Sequence, residues 1–198
     1  MKKMTRQAVF RKLDALYGRM ASVYADTSAR IGLSCEGCEE NCCTSYFQHH
    51  TYVEWTYLWQ GLNQLPEDKR NEYIRRSEDY VRNAKAMLDN GMRPKIMCPL
   101  NDDGLCGVYK HRLMICRMHG VVNTLRQPNG RQLSFPGCFK CQELTEGMDN
   151  VPVVDRTPLY KELVGLEMGL LGNKIRTLPK VDLTLAEMIV MGPPNLNG

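Results

Sequence analysis

The 198-residue chain has no acidic side chain over one long stretch. No Asp or Glu lies between Gly104 and Gln142, where Lys110, Arg112, Arg117, Arg126, Arg131 and Lys140 occur with His111 and His119. The formal net charge is nevertheless only +4, too mild to point to nucleic acid. The aromatics do not interleave with the basic residues in a pattern specific enough to read bases, so there is no strong nucleic-acid signal.

Long apolar runs are also missing. In "MKKMTRQAVFRKLDALYG" the apolar "AVF" is cut off by "RK" before the run that a secretory signal needs can form. No stretch reaches the length of a membrane helix, so the expected setting is the cytoplasm, without a membrane. G-x-S-x-G, H-E-x-x-H, a Walker loop and G-x-G-x-x-G are all absent, which removes the commonest hydrolase, metalloprotease and nucleotide-binding classes. Whether the chain is an enzyme is left open by these absences.

Length and a 43% apolar composition predict one hydrophobic core and a single domain over residues 1–198. Residues 6–30 carry Val9, Leu13, Leu16, Tyr17, Met20, Val23 and Tyr24 at helical spacing. "YFQHHTYVEWTYLW" places Val53, Trp55, Leu58 and Trp59 on one side of a helix, although its aromatics suit a strand equally well. Pro66 followed by "EDK" opens a helix, Ile74, Val81, Ala84 and Leu88 mark its inner stripe, and Asn90-Gly91 closes it. "VVNTLRQPNGRQLSF" reads as a hairpin turning at Asn129-Gly130 in a type I′ turn. Residues 157–190 return to helix, with Thr157 as cap, Leu159, Leu163, Leu166 and Leu170 inside, and a capping box in Thr184 to Glu187. Between Pro94 and Cys141 large apolar residues are few, which predicts that something other than a hydrophobic core holds that segment.

Against these absences stand nine cysteines, an odd number that cannot all pair. Cys35, Cys38, Cys42 and Cys43 form C-x2-C-x3-C-C, Cys98, Cys106 and Cys116 follow, and Cys138-x2-Cys141 closes the set. A C-x2-C pair lets two thiolates converge on one ion, and soft thiolates favour zinc or an iron-sulfur cluster. Adjacent Cys42 and Cys43 diverge too strongly to share one zinc easily. The count allows two four-thiolate sites with one cysteine spare, or one cluster with several buried thiols. His49, His50, His119 and His111 are weaker candidate ligands. Glu36, Glu39 and Glu40 read as solvated, and Trp55 and Trp59 as core. The fold expected is mainly α: a helical scaffold, with helices at 6–30 and 157–190, around an irregular cysteine-rich metal- or cluster-binding segment, 35–141, with a small β-hairpin.

The run "CEGCEENCC", then "CPL", "DGLCGVYKHRLMICR" and "CFKC" resembles the YkgJ-type zinc- or iron-chelating family over residues 35 to 141. A related cysteine region occurs in flagellin lysine methylases. The resemblance maps onto Cys98-Pro99, onto Gly104 with Cys106 and Tyr109, and onto Arg112 with Cys116-Arg117. Leu113 stands where the family has proline, and three residues instead of four separate Cys38 from Cys42. It implies a small iron-sulfur protein with one [4Fe-4S] cluster, used in electron transfer, redox sensing or cofactor-assisted chemistry. The alternatives are a non-catalytic module stabilised by one or two zinc ions that binds an anionic partner, and a component of a protein lysine methylation system. All nine cysteines are the expected ligands, with Tyr109, Arg112 and Arg117 behind them, where the guanidinium charge would offset that of a thiolate centre. The partner expected is a redox protein or an acidic protein, and the composition sets no oligomeric state.

Overall fold

The computed structural model describes residues 3–35 and 42–196, without the Cys42 side chain. In chain order the helices are α1 (Arg6–Arg30), α2 (Tyr52–Leu62), α3 (Glu67–Asp89), α4 (Met114–Met118), α5 (Phe139–Thr145), α6 (Thr157–Leu171) and α7 (Leu185–Val190). The strands are β1 (Asn101–Asp102), β2 (Leu105–Cys106), β3 (Asn123–Arg126), β4 (Gln132–Phe135) and β5 (Val154–Asp155). They gather into two compact units, Met1–Cys42 with Met114–Leu170, and Cys43–Leu113 with Leu171–Gly198.

In the first unit, α1 buries Val9, Phe10, Leu13, Leu16, Tyr17 and Met20 and packs against α4, which contributes Met114 and Met118. Thr5 caps the start of α1 by accepting the Ala8 N–H. From α6, Leu163, Leu166 and Leu170 are buried. Burying side chains of this size contributes roughly 1.5–3 kcal/mol each. A three-stranded sheet in the order β4-β3-β5 joins an antiparallel β3/β4 hairpin to the parallel neighbour β5. The buried Asn123 donates to the carbonyls of Met118 and Val121, tying the end of α4 to the start of β3. The hairpin forms where expected but turns differently. Gly130 alone takes positive φ, +84°, and its N–H bonds the Gln127 carbonyl at 2.9 Å. Five residues lie between the strands, so the loop is too long for a two-residue type I′ turn. The Thr157 hydroxyl accepts the Arg126 N–H, and it is the Asp155 carboxylate that accepts the Thr157 N–H.

In the second unit α2 is buried almost all round. The indole N–H groups of Trp55 and Trp59 both donate to the Met188 carbonyl at 2.9 Å, and Trp55 also reaches the Gly192 carbonyl. α3 packs against α7, with Tyr80, Ala84 and Ala186 at the contact. Its inner stripe is Tyr73, Ser77, Tyr80 and Ala84, one residue behind the expected Ile74-Val81 register, and Leu88 is 46% exposed. The Thr184/Glu187 capping box at α7 is formed. The β1/β2 hairpin is held to α3 by one charged cluster: Asp102 takes hydrogen bonds from Tyr73 and from Arg76 (2.7 Å) and an ion pair from Lys69 (3.0 Å).

The mainly helical scaffold agrees with the sequence reading, but the irregular metal-held segment does not form. The described part of residues 35–141 is built from helices, short hairpins and turns. Between Pro94 and Cys141 it buries Leu100, Val108, Leu113, Met114, Met118, Val121 and Cys141. These side chains, together with the Asp102 cluster, supply the cohesion that had been assigned to a metal. No helix among the described residues is long and apolar enough to cross a membrane.

Candidate functional site

The cysteines with described side chains divide between the two units. Cys35, Cys116, Cys138 and Cys141 belong to the first, and Cys43, Cys98 and Cys106 to the second. Cys38, with Glu36, Glu39 and Glu40, lies outside the described residues, as does the Cys42 side chain.

In the first unit Gly120 lies between the Tyr24 side chain and the Gly137–Cys141 segment. The loop after α4 brings Gly120 against Tyr24 of α1, so closely that a Cβ there would stand 2.1 Å from the Tyr24 hydroxyl. Tyr24 Oη in turn lies 3.7 Å from Cys35 Sγ. On the other side the Gly120 carbonyl accepts the Cys138 N–H at 3.2 Å, and the preceding Gly137 takes φ +84°. A Cβ on Gly137 would meet both Cys141 Sγ and the Gly120 carbonyl at 2.8 Å. A side chain at Gly137 would therefore push the thiol segment off the loop, in a left-handed backbone that already favours glycine, whereas one at Gly120 would displace the Tyr24 ring.

Cys138 and Cys141 occupy unlike environments. Cys138 sits at the N-cap of α5 and is half-buried, whereas Cys141 is 0% exposed. Burial pushes the Cys141 thiol pKa up, the Val122 backbone N–H donating to the sulfur offsets part of this, and neighbouring Cys138 raises it further. Beside the pair lies an open groove of about 530 Å3, with Val122 and Phe139 among its walls. Phe139 is 62% exposed.

The other residues singled out from the sequence are dispersed. In the second unit the Cys98 N–H bonds the Cys43 carbonyl at 2.9 Å, and Cys98 adds to the raised pKa of Tyr80, which burial chiefly pushes to about 12. Cys106 pairs with Asn101 in the β1/β2 hairpin. Arg112 stacks 3.9 Å over Tyr109, itself 57% exposed, and Arg117 stacks 4.1 Å over Tyr17. The His111 ring packs against Tyr57 and Gly61. His49 is buried and its main chain pairs with Leu183, while His50 faces Asp182 at 3.3 Å. His119 is half-buried between α4 and Gly120.

Among the described residues no group of three or more His, Cys, Asp or Glu side chains is arranged to hold a metal ion. The [4Fe-4S] cluster, the one or two zinc ions, and the iron-sulfur, zinc-module and lysine-methylation functions built on them are overturned. The physical reason is that sequence spacing places thiols near one another along the chain, whereas ligation needs several sulfurs within bonding distance of one point. Sequence reasoning also missed Tyr24, Gly120, Val122 and Gly137. The usable signal was "PGCFKC", glycine followed by C-x2-C at the opening of a helix.

No family model, curated protein or solved structure matches the chain. The resemblance to the YkgJ-type family is overturned with the centre it implied, because the metal-binding cysteine group that would carry it is not formed among the described residues.

Proposed function

We propose that the first unit carries a reversible dithiol, Cys138 and Cys141, that exchanges electrons with a disulfide of a partner protein. The observation that carries this reading is the unequal burial of two thiols three residues apart: Cys138 is reachable, and Cys141 is enclosed with a raised pKa. The spacing at the opening of a helix suits the Cα separation of a disulfide.

In the exchange the Cys138 thiolate attacks one sulfur of the partner disulfide, forming a mixed disulfide and releasing the partner's other sulfur as a thiolate. Cys141 then loses its proton and attacks Cys138 Sγ. The Cys138–Cys141 bond forms, the mixed disulfide breaks, and the second partner sulfur leaves. Two electrons and two protons pass from the protein to the partner, and a reductant thiol run through the same steps in reverse restores the pair. Burial keeps Cys141 protonated until the mixed disulfide presents its target, which limits premature oxidation.

The test oxidises the full-length protein with glutathione disulfide and maps the products by mass spectrometry. A Cys138–Cys141 disulfide reversed by dithiothreitol is expected, and Cys141→Ser should trap a mixed disulfide on Cys138. Oxidised protein with no bond between these two residues would overturn the reading. So would purified protein holding stoichiometric iron or zinc that Cys138→Ser releases.

A further inference from the structure

We propose that the groove beside Cys138 docks an extended polypeptide segment of a partner, one with a large apolar side chain flanked by lysine or arginine. This rests on the dithiol reading for what docking delivers, and on the groove's own chemistry for what it binds. Val122, Pro136, Phe139 and Val151 form an apolar lining, and Glu143 and Glu146 stand among them. At about 530 Å3 the groove has room for a large side chain and its adjoining backbone. It is open to solvent, and its lining is mostly apolar. A small-molecule site instead encloses its ligand and converges several placed polar groups on it.

The two carboxylates select among macromolecules. Glu143 lies on α5 and Glu146 follows at its C-terminal cap; both line the groove and both are exposed. Their charge opposes nucleic acid and anionic lipid and attracts cationic flanks, in a chain whose net charge is otherwise positive. The groove also shares parts with the thiol site. Val122 lines it and donates its N–H to Cys141, while Phe139 follows Cys138 directly. A segment seated on Phe139 would hold its neighbouring disulfide next to Cys138, converting a collision into a positioned attack.

The experiment uses full-length protein and short fluorescent peptides without cysteine, with one apolar centre and either Lys or Glu flanks, read by anisotropy. The Lys-flanked peptide is expected to bind roughly fivefold tighter at low salt, as two exposed charge pairs allow, and the preference should fade at high salt. The double variant Glu143→Lys/Glu146→Lys should reverse the order, and Phe139→Ser should weaken both peptides. Equal affinities, an order unchanged by charge reversal, or peptides excluded by self-association of the protein would overturn the proposal. Oxidation by glutathione disulfide in parallel separates the two readings. A Cys138–Cys141 bond with no peptide discrimination sinks the groove alone, and discrimination without that bond sinks the dithiol alone.

Discussion

Gly137 and Gly130 share a backbone φ of +84° and differ in what surrounds them. A Cβ added at Gly130 meets nothing within 4 Å, whereas one at Gly137 stands 2.8 Å from both Cys141 Sγ and the Gly120 carbonyl. Substitution by alanine therefore separates two costs. The left-handed backbone penalty, about 1–2 kcal/mol, applies to both. At Gly137 an overpacking cost of about 1–3 kcal/mol is added, because the carbonyl belongs to the backbone of a loop that also receives the Cys138 N–H. Gly130→Ala is thus expected to lose about 1–2 kcal/mol and Gly137→Ala about 2–5 kcal/mol, summing these two ranges. Urea unfolding followed by far-ultraviolet circular dichroism reads the difference. A second readout is the rate at which Cys141 is alkylated without denaturant, expected to rise in Gly137→Ala and stay unchanged in Gly130→Ala. Equal destabilisation of the two variants would refute the argument that close approach to Cys141, and not φ alone, requires glycine at 137.

His49 supplies a pH dependence. Burial, with some help from His50, lowers its pKa from 6.5 to about 3, and its Nδ1 has no hydrogen-bond partner among the described residues. The unfolded chain takes up the proton first as pH falls, so this stability is fully present above about pH 6.5 and is lost toward pH 3, by about 1.4 kcal/mol per pH unit at most. His49→Leu keeps the main-chain pairing with Leu183 and should flatten the urea midpoint between pH 7 and pH 4.5 by one proton's worth of slope; an unchanged slope would show that His49 does not titrate this way. Asp102 works over a more acidic range. Burial would raise its pKa, but hydrogen bonds from Tyr73, Arg76 and Lys69 bring it down to about 2. Its contribution is present above its ordinary value of 3.8 and is lost as pH falls through 2. Asp102→Asn should cost about 1–2 kcal/mol, discounted for partial exposure, with faster amide exchange confined to residues 101–106; a variant as stable as the parent would show the cluster to be a solvated surface.

Helices were legible wherever local chemistry repeated. The periodicity of α1, the Pro66 opening and Asn90 close of α3, and the Thr184/Glu187 box of α7 all depend on residues within one or two turns of each other. The same reasoning slipped where the deciding neighbour is distant. The buried stripe of α3 follows Tyr73 and Tyr80 because Asp102 and α7 lie on that side, and the β3/β4 turn followed its loop length, with the Asn-Gly pair falling inside it.

The cysteine pattern carries the same lesson for the site. Composition and spacing by themselves determined a mainly helical chain, without a membrane-length apolar run, whose thiols are grouped along the sequence. Only the tertiary structure decided where each cysteine sits, because whether the Cys138 main chain binds the Gly120 loop or that of Cys98 joins Cys43 depends on packing between segments apart in the chain. Spacing counts bonds along the backbone. Burial, pKa and reactivity depend on what surrounds a sulfur in space, and at Cys141 that is settled by a glycine at 137 and an amide at 122.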